Sequence, residues 1–146
     1  MDLYDVMRTT FAARDFDGDD VPDEVLHRVL DHARFAPSGG NRQGWKVIVV
    51  RAPETKKRLG ELCIPALRIA AAQIQAGEVY WQSVTPTSVD TAAAMADENL
   101  PLIVPLFDHL DEVPVVLVVA VDLRRVASMD KDLDRVGVVS GGSVYP

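Results

Sequence analysis

Two apolar runs dominate the pattern of hydrophobic and polar positions. Trp45-Lys46-Val47-Ile48-Val49-Val50-Arg51 and Val115-Val116-Leu117-Val118-Val119-Ala120-Val121 are short, rich in β-branched residues and almost uninterrupted. Runs of this kind predict strands buried on both faces at the centre of a sheet. Elsewhere the periodicity is helical. Leu3 to Thr9 predicts a short helix, and Val25, Val29, Leu30, Ala33 and Phe35 mark the buried stripe of a second. The second helix follows Val21-Pro22-Asp23-Glu24, where a proline and two acids suit a helix start. Pro53 to about Ala76 predicts a long helix with Leu59, Leu62, Ile64, Leu67, Ala71 and Ile74 on its apolar face, and Pro65 as a kink or break. From Gly77 to Pro114 the signals are mixed, with a helical turn or two at Ala92 to Ala96 and an apolar stretch at Leu102 to Leu110. A connection of that length often forms a lid or an active-site loop. Its Tyr80, Trp81 and Phe107 are read either as stacking side chains for a substrate ring or as packing residues. The expected fold class is α+β: helices packed around a central mixed or antiparallel sheet, in a single domain spanning residues 1–146.

Between the second helix and the first strand lies Phe35-Ala36-Pro37-Ser38-Gly39-Gly40-Asn41-Arg42-Gln43-Gly44. Pro, Ser, Gly and Asn permit unusual backbone angles and leave peptide N–H groups bare. Ser38, Asn41 and Gln43 add side chains that both donate and accept hydrogen bonds. Such a loop can lie flat against a planar heterocycle with polar edges.

This stretch, with Trp45, resembles the helix-to-strand joint of the FMN-dependent nitroreductase family, where A-P-S-x-x-N-x-Q-P-W recurs. Gly44 is the one departure, standing where that family usually has Pro. Thr10-Phe11-Ala12-Ala13-Arg14-Asp15-Phe16 is similar to the end of the family's first helix, commonly R-R-S-x-R-x-F. The resemblance implies that Arg14 holds the FMN phosphate, with Arg8 and Thr10 assisting; a guanidinium fork suits a phosphate. Thr10 and Ala12 replace residues that are often basic and Ser, which weakens two side-chain contacts. It also implies that Pro37, Ser38 and Gly39 pack along a flavin ring, that of a partner subunit, because family dimers share their sites. Asn41 and Gln43 either serve the ring's polar edge or brace the loop. Ser140-Gly141-Gly142-Ser143-Val144-Tyr145-Pro146 resembles the opening of the family's central helix, and the chain stops there. The expectation is therefore a member truncated to about two-thirds of the usual length, without its C-terminal part.

Composition narrows the partners. With 146 residues, 48% hydrophobic and 25% charged, the chain is that of a globular protein. Its net charge of −7 argues against nucleic acid or an anionic membrane as a general partner. One cysteine, Cys63, allows no intrachain disulfide and reads as a small core residue; with no signal segment or long apolar run, the expected setting is cytoplasmic. Around Gly18 the acids Asp15, Asp17 and Glu24 approach the spacing of a calcium loop, but Ala13 occupies the first ligand position and Pro22 interrupts it. His27 and His32 lie five residues apart, the wrong interval for two ligands on one helix face, so no metal site is expected.

No nucleophile–base pair, P-loop or dinucleotide fingerprint is present, and no catalytic side chain is assigned. That suits chemistry carried by a cofactor. The resemblance implies a homodimeric oxidoreductase that passes electrons from NAD(P)H through FMN to a flat nitroaromatic or quinone-like acceptor by a ping-pong cycle. The competing expectation is a non-catalytic flavin binder or an inactive remnant of the family.

Overall fold

The protein is described by a computed structural model covering residues 2–80, 86–134 and 137. Trp81 and the stretch from Ser140 to Pro146 lie outside the described residues.

The two β-branched runs form strands β1 (Trp45–Val50) and β2 (Val116–Val121), paired antiparallel with Trp45 opposite Val121 and Val50 opposite Val116. Before them come helix α1 (Leu3–Thr9) and helix α2 (Asp23–Ala33). Between them lie α3 (Pro53–Gln75), α4 (Thr91–Ala96) and a 3₁₀ turn at Pro105–His109. This is the α+β arrangement that the sequence predicts.

Local chemistry sets the element ends. Asp2 caps α1 by accepting from the Tyr4 N–H at 2.8 Å, and Asp90 caps α4 by accepting from Ala92 and Ala93 at 3.0 Å each. Pro53 sits in the first turn of α3, where its missing N–H is harmless. Pro65 lies inside the same helix without dividing it, so α3 runs as one element of 23 residues. Arg51, just after β1, donates to Asp20 and Asp23 at 2.9 Å each and also to the Val21 carbonyl. That guanidinium ties the acidic turn before α2 to the end of the strand.

The core is small and centres on α3. Leu67, Ala70 and Ala71 are buried there, with Leu67 only 2% exposed, and α3 packs on α4 and on the Pro105–His109 turn. Close approach is possible because residue 60 is glycine: a Cβ there would run into the Phe107 carbonyl oxygen. Lys56, also buried, donates to the Val113 carbonyl, so an apolar stem fills the space while its charge is met by a backbone oxygen.

Four expectations need correction. The strands are not buried on both faces: Ile48 is 55% and Val119 59% exposed, and Leu117 and Val49 are also exposed. Among the described residues the sheet has two strands, and α3 packs elsewhere, so few side chains cover it. In α2 the buried position is Leu26, whereas Val29, Ala33 and Phe35 face out. In α3 the buried face turns toward Lys56, Gly60, Leu67, Ala70 and Gln73, leaving Leu62 and Ile74 exposed. Cys63 is half-buried rather than a core residue.

The α3 contact yields a test. Gly60→Ala is expected to destabilise the fold by about 1–3 kcal/mol, the range for overpacking against fixed backbone. Leu62→Ala, on the exposed side of the same helix, should change stability by less than about 0.5 kcal/mol. Urea unfolding followed by helical circular dichroism measures both; equal midpoints would contradict the packing described.

Candidate functional site

The elbow from Ala36 to Gly44 is held open by its own backbone. Gly40, Asn41 and Gln43 adopt φ values of 62°, 52° and 46°. Asn tolerates this left-handed region, but Gln rarely enters it, at a cost of roughly 1–3 kcal/mol that surrounding structure must offset. Hydrogen bonds supply part of that support. The Ser38 hydroxyl accepts from the Gln43 N–H at 3.0 Å, and Gln43 Nε2 donates to Asn41 Oδ1 at 3.1 Å and to the Arg34 carbonyl at 3.4 Å. Asn41 and Gln43 therefore brace the loop, one of the two roles open to them from sequence.

The second support comes from the far strand. Antiparallel pairing carries the residues after Val121 alongside those before Trp45. The Asp122 N–H donates to the Gly44 carbonyl at 2.7 Å, and Arg125 Nη1 donates to the Arg42 carbonyl at 2.8 Å. Arg125 presses so close that a Cβ on Gly44 would stand 2.8 Å from its own Cβ. Asp122 accepts from Arg124 Nε and Nη2 at 2.9 Å each, and its Oδ2 lies 3.7 Å from Arg125 Nε. The hydrogen bonds from Arg124 lower the Asp122 pKa, aided by the nearby charges of Arg125 and Lys46.

A cleft of about 60 Å³ opens in this elbow, lined by Pro37, Ser38, Gly39, Gln43, Trp45 and Arg125 among others. Past Gly39, Arg42 and Val126 it adjoins a shallower cleft of about 550 Å³, walled further by Ala127, Ser128 and Met129. Asn41 lines neither.

The N-terminal candidates lie elsewhere. Arg8 is exposed in the last turn of α1, and the Thr10 hydroxyl donates to the Val6 carbonyl at 2.6 Å. Arg14 is exposed, donates to the Ala12 carbonyl at 2.9 Å, and lines a cleft of about 230 Å³ with Phe16, Pro105, Leu106 and His109. Asp15 and Glu112 share that wall, so two carboxylates share the cleft with the Arg14 guanidinium. The Arg14 cleft and the elbow cleft share no lining residue. Tyr80 and Phe107 line neither of them. Among the described residues no three metal-ligating side chains cluster, and no helix is long and apolar enough to cross a membrane.

Sequence reasoning overlooked Arg42, Asp122 and Arg125. The signal was present: once the two apolar runs pair antiparallel, Asp122-Leu123-Arg124-Arg125 must fall beside the elbow.

Residues 7–138 match the description "Nitroreductase family". The chain belongs to the nitroreductase family. Similar proteins include an NADH dehydrogenase of Thermus thermophilus, 36% identical over 63 residues, which are 43% of this chain and 31% of that protein. A putative NADH dehydrogenase/NAD(P)H nitroreductase of Methanothermobacter thermautotrophicus is 31% identical over 62 residues, 42% of this chain and 32% of the relative. An iodotyrosine deiodinase 1 of Sus scrofa is 31% identical over 61 residues, 42% of this chain and 21% of the relative. The matched stretch thus spans about a third or less of each relative's length. No solved structure matches the chain. Within the nitroreductase pattern, Gly44 now has a physical reason: the Cβ of a proline there would meet Arg125.

Two outcomes check the elbow's second support. Gly44→Ala should destabilise by about 1–3 kcal/mol, and less in an Arg125→Gly background, with a coupling of roughly 0.5 kcal/mol or more in a double-mutant cycle. Simple additivity would mean that the two residues do not meet. Because the folded pKa of Asp122 is depressed, its bonds support the turn above the unfolded value and are lost as pH falls through the folded one. A carboxylate NMR titration should give Asp122 a pKa below 3.8. Asp122→Asn should lose less stability than the parent between about pH 5 and pH 2; a normal Asp122 titration contradicts the clamp.

Proposed function

We propose that this chain carries the flavin-binding elements of an FMN-dependent oxidoreductase that passes electrons from NAD(P)H to a flat nitroaromatic or quinone-like acceptor by a ping-pong cycle. The observation that carries the reading is the elbow, whose residues Gly40, Asn41 and Gln43 are left-handed, with Gln43 held there against its own preference by internal hydrogen bonds and by the clasp of Arg125 on the loop. Strain kept in place by surrounding structure is a mark of functional sites. Pro37, Ser38 and Gly39 offer a flat wall beside Trp45, and the elbow carries no acidic side chain that would repel an electron-rich ring edge. Bracing uses Gln43 Nε2, so Gln43 Oε1, on a residue that lines the cleft, is the acceptor for that edge, while Asn41 serves the brace.

The residues present fit half a flavin site at a time. A cleft of about 60 Å³ is far below the ~300 Å³ at which small-molecule pockets begin. Arg14, the residue for the phosphate, lines a different cleft. That separation supports a shared site, in which the elbow of one subunit covers a ring whose phosphate is held by its partner. Bound FMN would supply the two-electron chemistry; the chain's own residues would orient the ring, exclude water from one face and hold the phosphate. In this reading the protein is a homodimer. Relatives named as iodotyrosine deiodinases favour reductive dehalogenation of an aromatic as the second reading of the acceptor step.

A non-catalytic remnant is the competing reading, favoured by the two carboxylates beside Arg14 and by the inward use of the Thr10 hydroxyl. Adding FMN to the purified full chain separates the two. The oxidoreductase reading expects quenched flavin fluorescence, bleaching of the visible bands by NAD(P)H and their return with a quinone. Arg14→Ala should then weaken FMN binding by about 1.5–3 kcal/mol, the range for a hydrogen bond to a charged group. Unchanged affinity removes Arg14 from the site, and a chain that takes up no FMN is the remnant.

A further inference from the structure

Cations crowd the elbow of a chain whose net charge is −7. Arg42 and Arg125 line the elbow cleft, Arg124 lies on Asp122, and Lys46 is near enough to act on the same carboxylate. Among the described residues Asp122 meets Arg124, Arg125 and Lys46, and it is already committed. Asp122 takes two 2.9 Å bonds from Arg124 and stands 3.7 Å from Arg125 Nε. Arg125 uses Nη1 on the Arg42 carbonyl, and its side chain remains 57% exposed, so further donors face the cleft mouth. Arg42 has no ion pair among the described residues. It stands on the ridge, with Gly39 and Val126, where the elbow cleft meets the wider one.

Two arginines that line one small cleft, Arg42 on its ridge and Arg125 on its elbow side, repel each other unless an anion comes between them, and their planar forks suit a phosphate better than a point charge. The contrast with the Arg14 cleft is direct, because there Asp15 and Glu112 offset the positive charge. We infer that Arg42 and Arg125 form an anion subsite at the junction of the two clefts that takes a phosphate of the nicotinamide dinucleotide donor. This rests on the reading of the elbow as a flavin wall. A nicotinamide ring stacked on the open face of a flavin held at that wall carries its first phosphate one ribose away, where the arginines that line the cleft can meet it. The wider cleft beyond, about 550 Å³ and walled by Val126, Ala127 and Met129, gives the adenosine half an apolar surface.

The test uses the full chain loaded with FMN and two electron donors: NADPH, and 1-benzyl-1,4-dihydronicotinamide, which has no phosphate. Arg42→Gln should raise KM for NADPH about tenfold at low salt while raising KM for the benzyl donor less than twofold. Arg125→Lys, which keeps the charge, should fall between the parent and Arg42→Gln. In Arg42→Gln the FMN dissociation constant, from flavin fluorescence, should stay within about twofold of the parent. Equal rises for both donors would mean a disturbed elbow and would overturn the subsite. So would an unchanged NADPH KM, or weakened FMN binding alone, which would give the ridge to the flavin's own phosphate. If the chain binds no FMN, calorimetric titration with NADP⁺ decides separately. Binding that Arg42→Gln weakens about tenfold keeps the subsite and ends the flavoenzyme reading; no NADP⁺ binding ends the subsite.

Discussion

Arg125 reaches across the molecule to the loop before the first strand, and most of the site's geometry follows from that contact. Its guanidinium holds the Arg42 carbonyl, its stem fills the space over Gly44, and Asp122 beside it holds the Gly44 carbonyl through the backbone. Strand pairing delivers these groups to the same place, since the register that sets Trp45 opposite Val121 carries residues 122–125 alongside 41–44. Gln43, at φ 46°, keeps a backbone conformation that a residue of its type holds only where surrounding structure fixes it. The link from sheet to site is therefore mechanical: register fixes the clasp, and the clasp fixes the cleft.

Much of this was legible in the residues. The strands, α1 and the long α3 stand where periodicity puts them, because short β-branched runs and a 23-residue helical pattern leave little choice. The facing of those elements was less legible. Val29 and Phe35 read as core by spacing, yet Leu26 is the buried position of α2, because which side of a helix is covered depends on its neighbours. The strands were read as interior from their hydrophobicity alone, but burial is a property of what packs on them. Within the site, the Pro-Ser-Gly elbow announced itself locally. Arg125 did not, since its role exists only after two distant segments have paired.

The division of positive charge reshapes the site as the sequence presents it. Arg14 lies beyond α1, a helix with no buried residue, and acids share its cleft. Arg42 and Arg125 stand at the elbow, where one overcommitted carboxylate leaves positive charge to spare. A chain that is acidic overall thus gathers positive charge beside its elbow cleft. That is an efficient way to draw in a small anion without attracting polyanions, because screening confines the field to within about 10 Å.

A two-stranded ribbon consists entirely of rims. Among the described residues, β1 and β2 each have one unpaired side, where backbone donors and acceptors are free to recruit another chain. The side chains above them, Ile48 and Val119, would reward such a union. Lys46 interrupts the first strand with an exposed ammonium group, a charge that any incoming strand would have to bury or step around. A single lysine in an otherwise greasy ladder thereby works as a gatekeeper against fibril-like stacking, in addition to whatever it contributes to the electrostatics of the neighbouring cleft.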